Sequence, residues 1–149
     1  IAATEKLVDF VRSYANGFIF TTSLPPAIAA AAAASVRHVR EHGQADRDRH
    51  QERAATLKKM LRNAGLPVMP SVSHIVPVMV GDPVVCKQVT DDLMDRYGIY
   101  VQPINYPTVP RGTERLRLTP TPFHGDDDMR RLVDALTEIW GRLQIRAAA

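Results

Sequence analysis

The pattern of apolar and polar positions predicts helices separated by short strands. Apolar residues at helical spacing predict a first helix over residues 4–15, which Asn16-Gly17 ends. The apolar, β-branched run over residues 18–22 predicts a strand. Pro25-Pro26 then opens an alanine-rich helix, since proline is tolerated in a first helical turn.

The middle of the chain continues this succession. A helix is predicted over residues 45–63, separated from the alanine-rich helix by a break near 41–44. Residues 75–80 predict a strand, and Pro77 within it indicates an edge position or a local irregularity, because proline lacks the N–H that a ladder needs. A helix over residues 84–97 follows, with a glycine as its stop.

The last part of the chain has the clearest pattern. Residues 99–104 are strand-like, and residues 115–119 alternate strictly, which separates Leu116 and Leu118 from Arg117. A final helix carries an unbroken apolar stripe and three aspartates at its positive end. The stripe comprises Met129, Leu132, Val133, Leu136, Ile139, Trp140 and Leu143. The order of elements predicts the α/β class.

Composition and charge narrow the class of protein. The 149 residues suffice for one domain, with 45% hydrophobic and 23% charged residues, as in ordinary globular proteins. A net charge of +3 is too slight to imply a nucleic-acid partner. Residues 37–62 are the densest basic stretch, and their mixed signs favour a solvated helix face over a site for a phosphate-bearing ligand.

Cysteine and histidine usage points away from disulfide and metal chemistry. A lone cysteine, Cys86, excludes an internal disulfide and fits a reducing compartment such as the cytoplasm. His38 and His42 are four residues apart, but no third ligand follows at a suitable offset, so no metal site is expected. The uncharged stretch 13–36 is interrupted by Pro25-Pro26 and is mostly alanine, so no membrane span is expected.

Three features could carry chemistry, each with a plainer alternative. Arg117 on a strand offers a bidentate fork for a carboxylate, although spacing alone favours a surface arginine. The proline-rich loop 106–112 could be a lid or a plain connection. Thr21-Thr22-Ser23 could bind phosphate at a helix start, although a helix cap is slightly favoured. These patterns predict an anion pocket without defining a reaction.

Five blocks in consistent order and spacing resemble one family. They include Phe20-Thr-Thr-Ser-Leu-Pro-Pro26 and Ile104-Asn-Tyr-Pro-Thr-Val-Pro110, and they span residues 17–26, 73–82, 92–102, 104–117 and 115–124. With these blocks the chain resembles the α-oxoamine synthases, which use pyridoxal 5'-phosphate. Within that family it is most similar to the branch that joins glycine to succinyl-CoA.

The resemblance implies a fold and an assembly. The family has the aspartate-aminotransferase fold and forms homodimers with active sites at the subunit interface. Residues 1–40 would finish the large cofactor-binding domain and its linking helix. Residues 41–149 would form the small C-terminal domain, a small and mostly antiparallel sheet with helices on one side.

The resemblance also implies a reaction. Glycine and succinyl-CoA would give 5-aminolevulinate, CoA and carbon dioxide, the first step of tetrapyrrole and heme biosynthesis, with pyridoxal phosphate as the electron sink. Sister branches of the amino-oxononanoate synthase or aminoketobutyrate ligase type use another acyl-CoA or amino acid. An alternative from a different functional class is a non-catalytic α/β domain that binds anions.

Site residues follow by matching positions. Arg117 matches the arginine that holds the glycine carboxylate, and Thr108 matches the threonine that contacts the succinyl carboxylate. Thr21 and Thr22 match hydroxyl residues that reach across the dimer to the cofactor phosphate. The loop 106–112 corresponds to the mobile lid.

The Schiff-base lysine has no match in this chain. In the family it precedes the segment that begins at Ile1, and neither Lys58-Lys59 nor Lys87 occupies a matching position. We therefore expect no catalytic residue within the chain and no activity from the chain alone.

Overall fold

The computed structural model describes residues 3–145. The chain divides into two compact units, Ile1–Gly43 and Gln44–Ala149. The predicted boundary after residue 40, and the assignment of the first part to a larger cofactor-binding domain, stay predictions.

Residues 3–43 of the first unit contain three helices. They are α1 (Glu5–Tyr14), α2 (Asn16–Ile19) and α3 (Pro26–His42). Helices α1 and α3 confirm the helices predicted from spacing and from the proline pair. No side chain between residues 3 and 42 is buried, and the rings of Phe10 and Tyr14 stack on the surface with centroids 5.0 Å apart.

The strand predicted over residues 18–22 is wrong. The amides of Phe18 and Ile19 donate to the Ala15 carbonyl at 2.8 and 3.0 Å, and the Phe20 amide donates to the Asn16 carbonyl at 3.1 Å. These local bonds form the short helix α2. An apolar run of five residues has too little periodicity to distinguish strand from helix, so the sequence pattern could not decide between them.

The second unit alternates helices and strands. They are α4 (Gln44–Asn63), β1 (Val76–Met79), α5 (Pro83–Tyr97), β2 (Gln102–Ile104), β3 (Arg115–Leu118) and α6 (Asp126–Leu143). Every predicted element of this unit is confirmed, but β2 is shorter than expected. The amides of Gly98 and Ile99 donate to Met94 and Leu93 carbonyls, so these residues complete α5 instead of starting the strand.

The three strands form one antiparallel sheet in the order β1-β3-β2. Val76 pairs with Leu118 and Val78 with Leu116, and all four side chains are buried. They pack against one layer of helices, which confirms the predicted α/β class with a small antiparallel sheet and helices on one side. The helices contribute the buried side chains of Leu57, Leu61, Val89, Leu93, Leu136 and Ile139.

Pro77 lies in an edge strand of this sheet, as its missing N–H predicts. Its carbonyl accepts the Met69 amide at 2.9 Å, so its backbone polar atoms face residues 67–69. In an extended strand the neighbouring residues Val76 and Val78 direct their amides the other way, towards β3. The proline therefore leaves the ladder between β1 and β3 intact.

Local signals fix the ends of α5. The Asp82 carboxylate accepts the amides of Val84 and Val85 at 2.9 and 2.8 Å, which caps the helix at its first turn. Gly98 ends the helix at φ 65°, in the left-handed region that glycine adopts without steric cost.

No helix formed by residues 3–145 has the length and apolarity needed to traverse a bilayer.

Two valines on α5 test the core directly. Val89 is fully buried and Val84 is 73% exposed. We expect Val89→Ala to lower the free energy of unfolding by about 2 kcal/mol, because it removes buried methyl groups and leaves a cavity. Val84→Ala on the same helix should change it by less than about 0.5 kcal/mol. Urea denaturation of the chain measures both, and equal losses would contradict this core.

Cys86 predicts a pH dependence of stability. Burial raises the pKa of its thiol to about 11. Between the ordinary thiol pKa and that value, the folded chain binds more protons than the unfolded chain, so stability should fall as the pH rises. Urea denaturation from pH 8 to 11 measures this decline, and Cys86→Ala should remove that part of it. An identical decline in Cys86→Ala would assign the effect to other groups.

Candidate functional site

The backbone of Arg117 is fixed on β3. Its backbone pairs with Pro77 on one side and with Gln102 on the other, while Leu116 and Leu118 beside it are buried. The Arg117 side chain is exposed, and its guanidinium makes no hydrogen bond or ion pair with any of residues 3–145. A rigid strand therefore presents a free, planar five-donor group, which suits a carboxylate.

A cavity of about 590 Å³ opens beside Arg117. This volume falls within the range typical of small-molecule sites. Leu57 and Leu132 are among its apolar walls. Its polar lining includes Tyr100, Gln102, Arg117, Thr119, His124, Asp128 and Arg131.

The charges around this cavity favour an anion. Arg131 donates to the Tyr97 carbonyl at 3.0 Å, and the Asp128 carboxylate accepts the Gly125 amide at 2.9 Å. Arg117 and Arg131 outnumber Asp128, and the Asp128 carboxylate is already engaged in capping α6. A bound carboxylate would therefore gain attraction from the two guanidinium groups.

His124 adds another polar side chain to the same lining. Its Nδ1 accepts the Thr121 amide at 2.9 Å. Because Nδ1 acts as an acceptor, the neutral ring carries its proton on Nε2. The ring can therefore donate one hydrogen bond through Nε2.

Thr108 lies on the loop that joins β2 to β3. Its amide donates to the Asn105 carbonyl at 3.0 Å, and its exposed hydroxyl makes no hydrogen bond within residues 3–145. Ile104 pairs with Arg115 at the base of the loop, and Arg117 lies two residues further, about 7 Å along the strand. Thr108 does not line the cavity beside Arg117. The two residues thus share one hairpin but not one cavity.

The loop itself is held by internal contacts. The Arg111 guanidinium lies 4.8 Å from the centre of the Tyr106 ring, a cation–π contact. Both the amide and the hydroxyl of Thr113 donate to the Pro110 carbonyl, at 3.1 and 2.7 Å. Gly112 has φ +80°, which marks a bend that favours glycine. That this loop is a lid stays a prediction.

Thr21 and Thr22 belong to the first unit, between α2 and α3. Both are exposed, and their hydroxyls make no hydrogen bond within residues 3–145. Helix α3 begins at Pro25-Pro26 without a side-chain cap, so the slightly favoured capping role of this segment is wrong. The two prolines also offer no N–H. A phosphate here would be bound by the threonine hydroxyls and by the amides that follow Pro26, because the two prolines themselves donate no hydrogen bond.

Two of the lysines are engaged elsewhere. Lys58 Nζ donates to the carbonyls of Ser71 and Ser73 at 2.8 and 2.7 Å, and Lys87 pairs with Asp91. No lysine lines the cavity beside Arg117 among the described residues. Within residues 3–145, no group of three His, Cys, Asp or Glu side chains is placed to share a metal ion.

Two further residues of this region, His124 and Glu114, stand out only in the structure. His124 ends one of the resembling blocks, but only the structure shows that it lines the cavity with Arg117. Glu114, the residue that precedes β3 in the sequence, is fully buried. Period-two spacing already places residue 114 on the inner side with Leu116 and Leu118, so the alternation was a signal for it.

Comparison with known proteins agrees with this fold. The sequence profile of aminotransferase class I and II matches residues 1–136. The chain belongs to the aminotransferase class I and II family.

Individual relatives narrow the similarity. The chain is 55% identical to 5-aminolevulinate synthase of Rhizobium meliloti over 148 residues, covering 99% of this chain and 36% of that protein. It is 53% identical to the mitochondrial 5-aminolevulinate synthase of Kluyveromyces lactis over 145 residues, covering 97% of the chain and 25% of that protein. The chain thus spans about a third or less of these relatives.

A solved structure supports the fold independently. The chain is similar to a serine palmitoyltransferase variant from S. paucimobilis with bound PLP-myriocin, at 25% identity and a TM-score of 0.83. The match covers 98% of this chain and 36% of that enzyme.

Proposed function

We propose that this chain is the part of a 5-aminolevulinate synthase that holds the substrates, in an enzyme that condenses glycine with succinyl-CoA and releases CoA and carbon dioxide. The observation that carries the proposal is the free Arg117 guanidinium on a rigid strand. The high identity to 5-aminolevulinate synthases across nearly the whole chain selects the reaction.

In this proposal Arg117 binds the glycine carboxylate. Its two parallel N–H donors fix the plane of the carboxylate, and therefore which bond at the α-carbon is aligned for cleavage. Because β3 is paired on both sides, the backbone that carries the guanidinium does not have to rearrange when glycine binds. Thr108, with its free hydroxyl, donates to the succinyl carboxylate.

The cofactor of the proposed enzyme is pyridoxal phosphate. Thr21 and Thr22 fit its phosphate group, because two exposed hydroxyls without partners in the described residues can donate to phosphate oxygens. When bound, the cofactor supplies the electron sink for the carbanion chemistry at the α-carbon. Lys58 and Lys87 are paired within the second unit, Lys58 with the Ser71 carbonyl and Lys87 with Asp91.

The proposed enzyme is a homodimer in the cytoplasm. Support for the dimer comes from the surface of the first unit, where Phe18, Phe20 and Leu24 are 50, 86 and 72% exposed and would be covered by further protein. The lone, buried Cys86 supports a reducing compartment. The relatives include a mitochondrial enzyme from yeast, so the proposed reaction is not tied to one compartment.

A chimera tests the proposal. This chain would replace the matching segment of the Rhizobium meliloti enzyme, and the product would be assayed with glycine and a panel of acyl-CoA donors. We expect activity that requires glycine and prefers succinyl-CoA. Preference for another acyl-CoA would assign the chain to a sister synthase. No activity from a folded chimera would favour the non-catalytic alternative.

Arg117 gives the first prediction for this enzyme. Arg117→Lys should raise the KM for glycine about 10- to 100-fold, because an ammonium group cannot reproduce the bidentate fork. Arg115→Lys on the same strand is the matched control, since Arg115 donates to the backbone carbonyl of Thr113 instead. Steady-state kinetics of the chimera measure both. An unchanged KM for glycine in Arg117→Lys would remove Arg117 from the site.

Thr108 gives the second prediction. Thr108→Ala should raise the KM for succinyl-CoA about fivefold, the value of one hydrogen bond, and leave the KM for glycine nearly unchanged. Thr108→Ser keeps the hydroxyl and should behave like the parent chain. If Thr108→Ala changes both KM values equally, its assignment to the acyl substrate is wrong.

A further inference from the structure

The carboxylate of Glu114 is buried beneath the β2–β3 loop. The side chain is fully buried, and its Oε2 accepts the Gly112 amide at 2.9 Å. Its Oε1 has no hydrogen-bond partner, and no lysine or arginine pairs with the carboxylate, among residues 3–145. A buried acidic group with so few partners is rare, because burial normally requires compensation. Among residues 3–145, the Gly112 amide is thus the one hydrogen-bond donor to this carboxylate.

The backbone of Glu114 is fixed to the scaffold. Its carbonyl accepts the amides of Val80 and Gly81 at 2.9 and 3.0 Å, at the turn between β1 and α5. A Cβ atom at Gly81 would lie 3.6 Å from the Gly112 carbonyl oxygen, so the turn and the end of the loop are in close contact. The backbone of Glu114 is thus fixed, and its side chain binds the end of the preceding loop at Gly112.

Gly112 is the point at which this hold acts on the loop. Its positive φ produces the bend where the loop joins β3. On the loop side of the bend, Arg111 stacks on Tyr106, which connects the two arms of the loop. Thr108 lies between these arms. A shift of Gly112 would therefore be transmitted through Arg111 and Tyr106 to Thr108.

The other end of the loop is held more weakly. Asn105 Nδ2 donates to the Pro83 carbonyl at 3.3 Å, while Asn105 Oδ1 is buried without a partner in the described residues. The hydrogen bond from the Gly112 amide to Glu114 is shorter, at 2.9 Å. The firmer of these two side-chain anchors of the loop is therefore the one at Gly112.

From these contacts we propose that Glu114 is a positioning residue for the acyl substrate: by anchoring Gly112 it sets the place of Thr108. This inference rests on the proposed function, because it gives Thr108 the succinyl carboxylate to bind. Glu114 itself touches no substrate and acts through the loop. It should therefore affect the acyl donor and leave glycine at Arg117 nearly unaffected.

The first test measures the anchor without any assay of activity. In the 149-residue chain, Glu114→Ala should raise the hydrogen-exchange rate of the Gly112 amide about fivefold, as expected for loss of one hydrogen bond. Glu114→Gln keeps an acceptor and should restore most of the protection. Val89→Ala weakens another part of the core and is the matched control. In this variant the exchange rate of the Gly112 amide should not rise more than the rates of other amides. Unchanged exchange at Gly112 in Glu114→Ala would overturn the proposal.

The second test measures the consequence for the acyl donor. In the chimera, Glu114→Ala should raise the KM for succinyl-CoA about fivefold and the KM for glycine by less than about twofold, with Glu114→Gln close to the parent. An equal rise in both KM values, or the same loss in both variants, would overturn the positioning role. If the parent chimera lacks glycine-dependent activity, the proposed function fails, while the exchange measurement still decides whether Glu114 anchors Gly112.

Discussion

Side-chain alternation along β3 is the constraint on which the rest of the second unit depends. Leu116 and Leu118 are required in the core, where they meet Val76 and Val78 and the layer of helices. Because the period of a strand is two, burial of these leucines places Arg117 on the opposite face. A shift by one residue would bury the guanidinium and expose the leucines. Core packing thus determines which face of the sheet carries the Arg117 guanidinium.

Most of the second unit could be predicted from local signals. Helix α6 has a continuous apolar stripe, α5 has an aspartate cap and a glycine stop, and β3 alternates without exception. Pro77 indicated an edge strand because a missing N–H is tolerated there. These signals are local and strong, so tertiary packing confirmed them instead of overriding them.

Other parts of the structure depend on information that local pattern does not contain. The backbone amides of residues 18–21 donate to carbonyls of residues 15–18, in and next to helix α2. The composition of the run over residues 18–22 alone could not exclude a strand. The cavity beside Arg117 brings together side chains from β2, β3 and α6, a convergence that depends on tertiary structure. Burial of Glu114 is hard to predict, because an acidic residue next to arginines is usually exposed even where its spacing matches that of buried leucines.

The hairpin of β2 and β3 places Arg117 and Thr108 in two segments that evolution can change independently. Arg117 belongs to the paired strands, where an inserted residue would reverse which side chains are buried. Thr108 belongs to the connecting loop, where insertions and deletions are tolerated if both ends remain attached. A lineage could therefore lengthen or rewrite the loop, while the arginine keeps its place on the exposed face of the strand. The strand would act as the conserved half of the hairpin and the loop as its adaptable half.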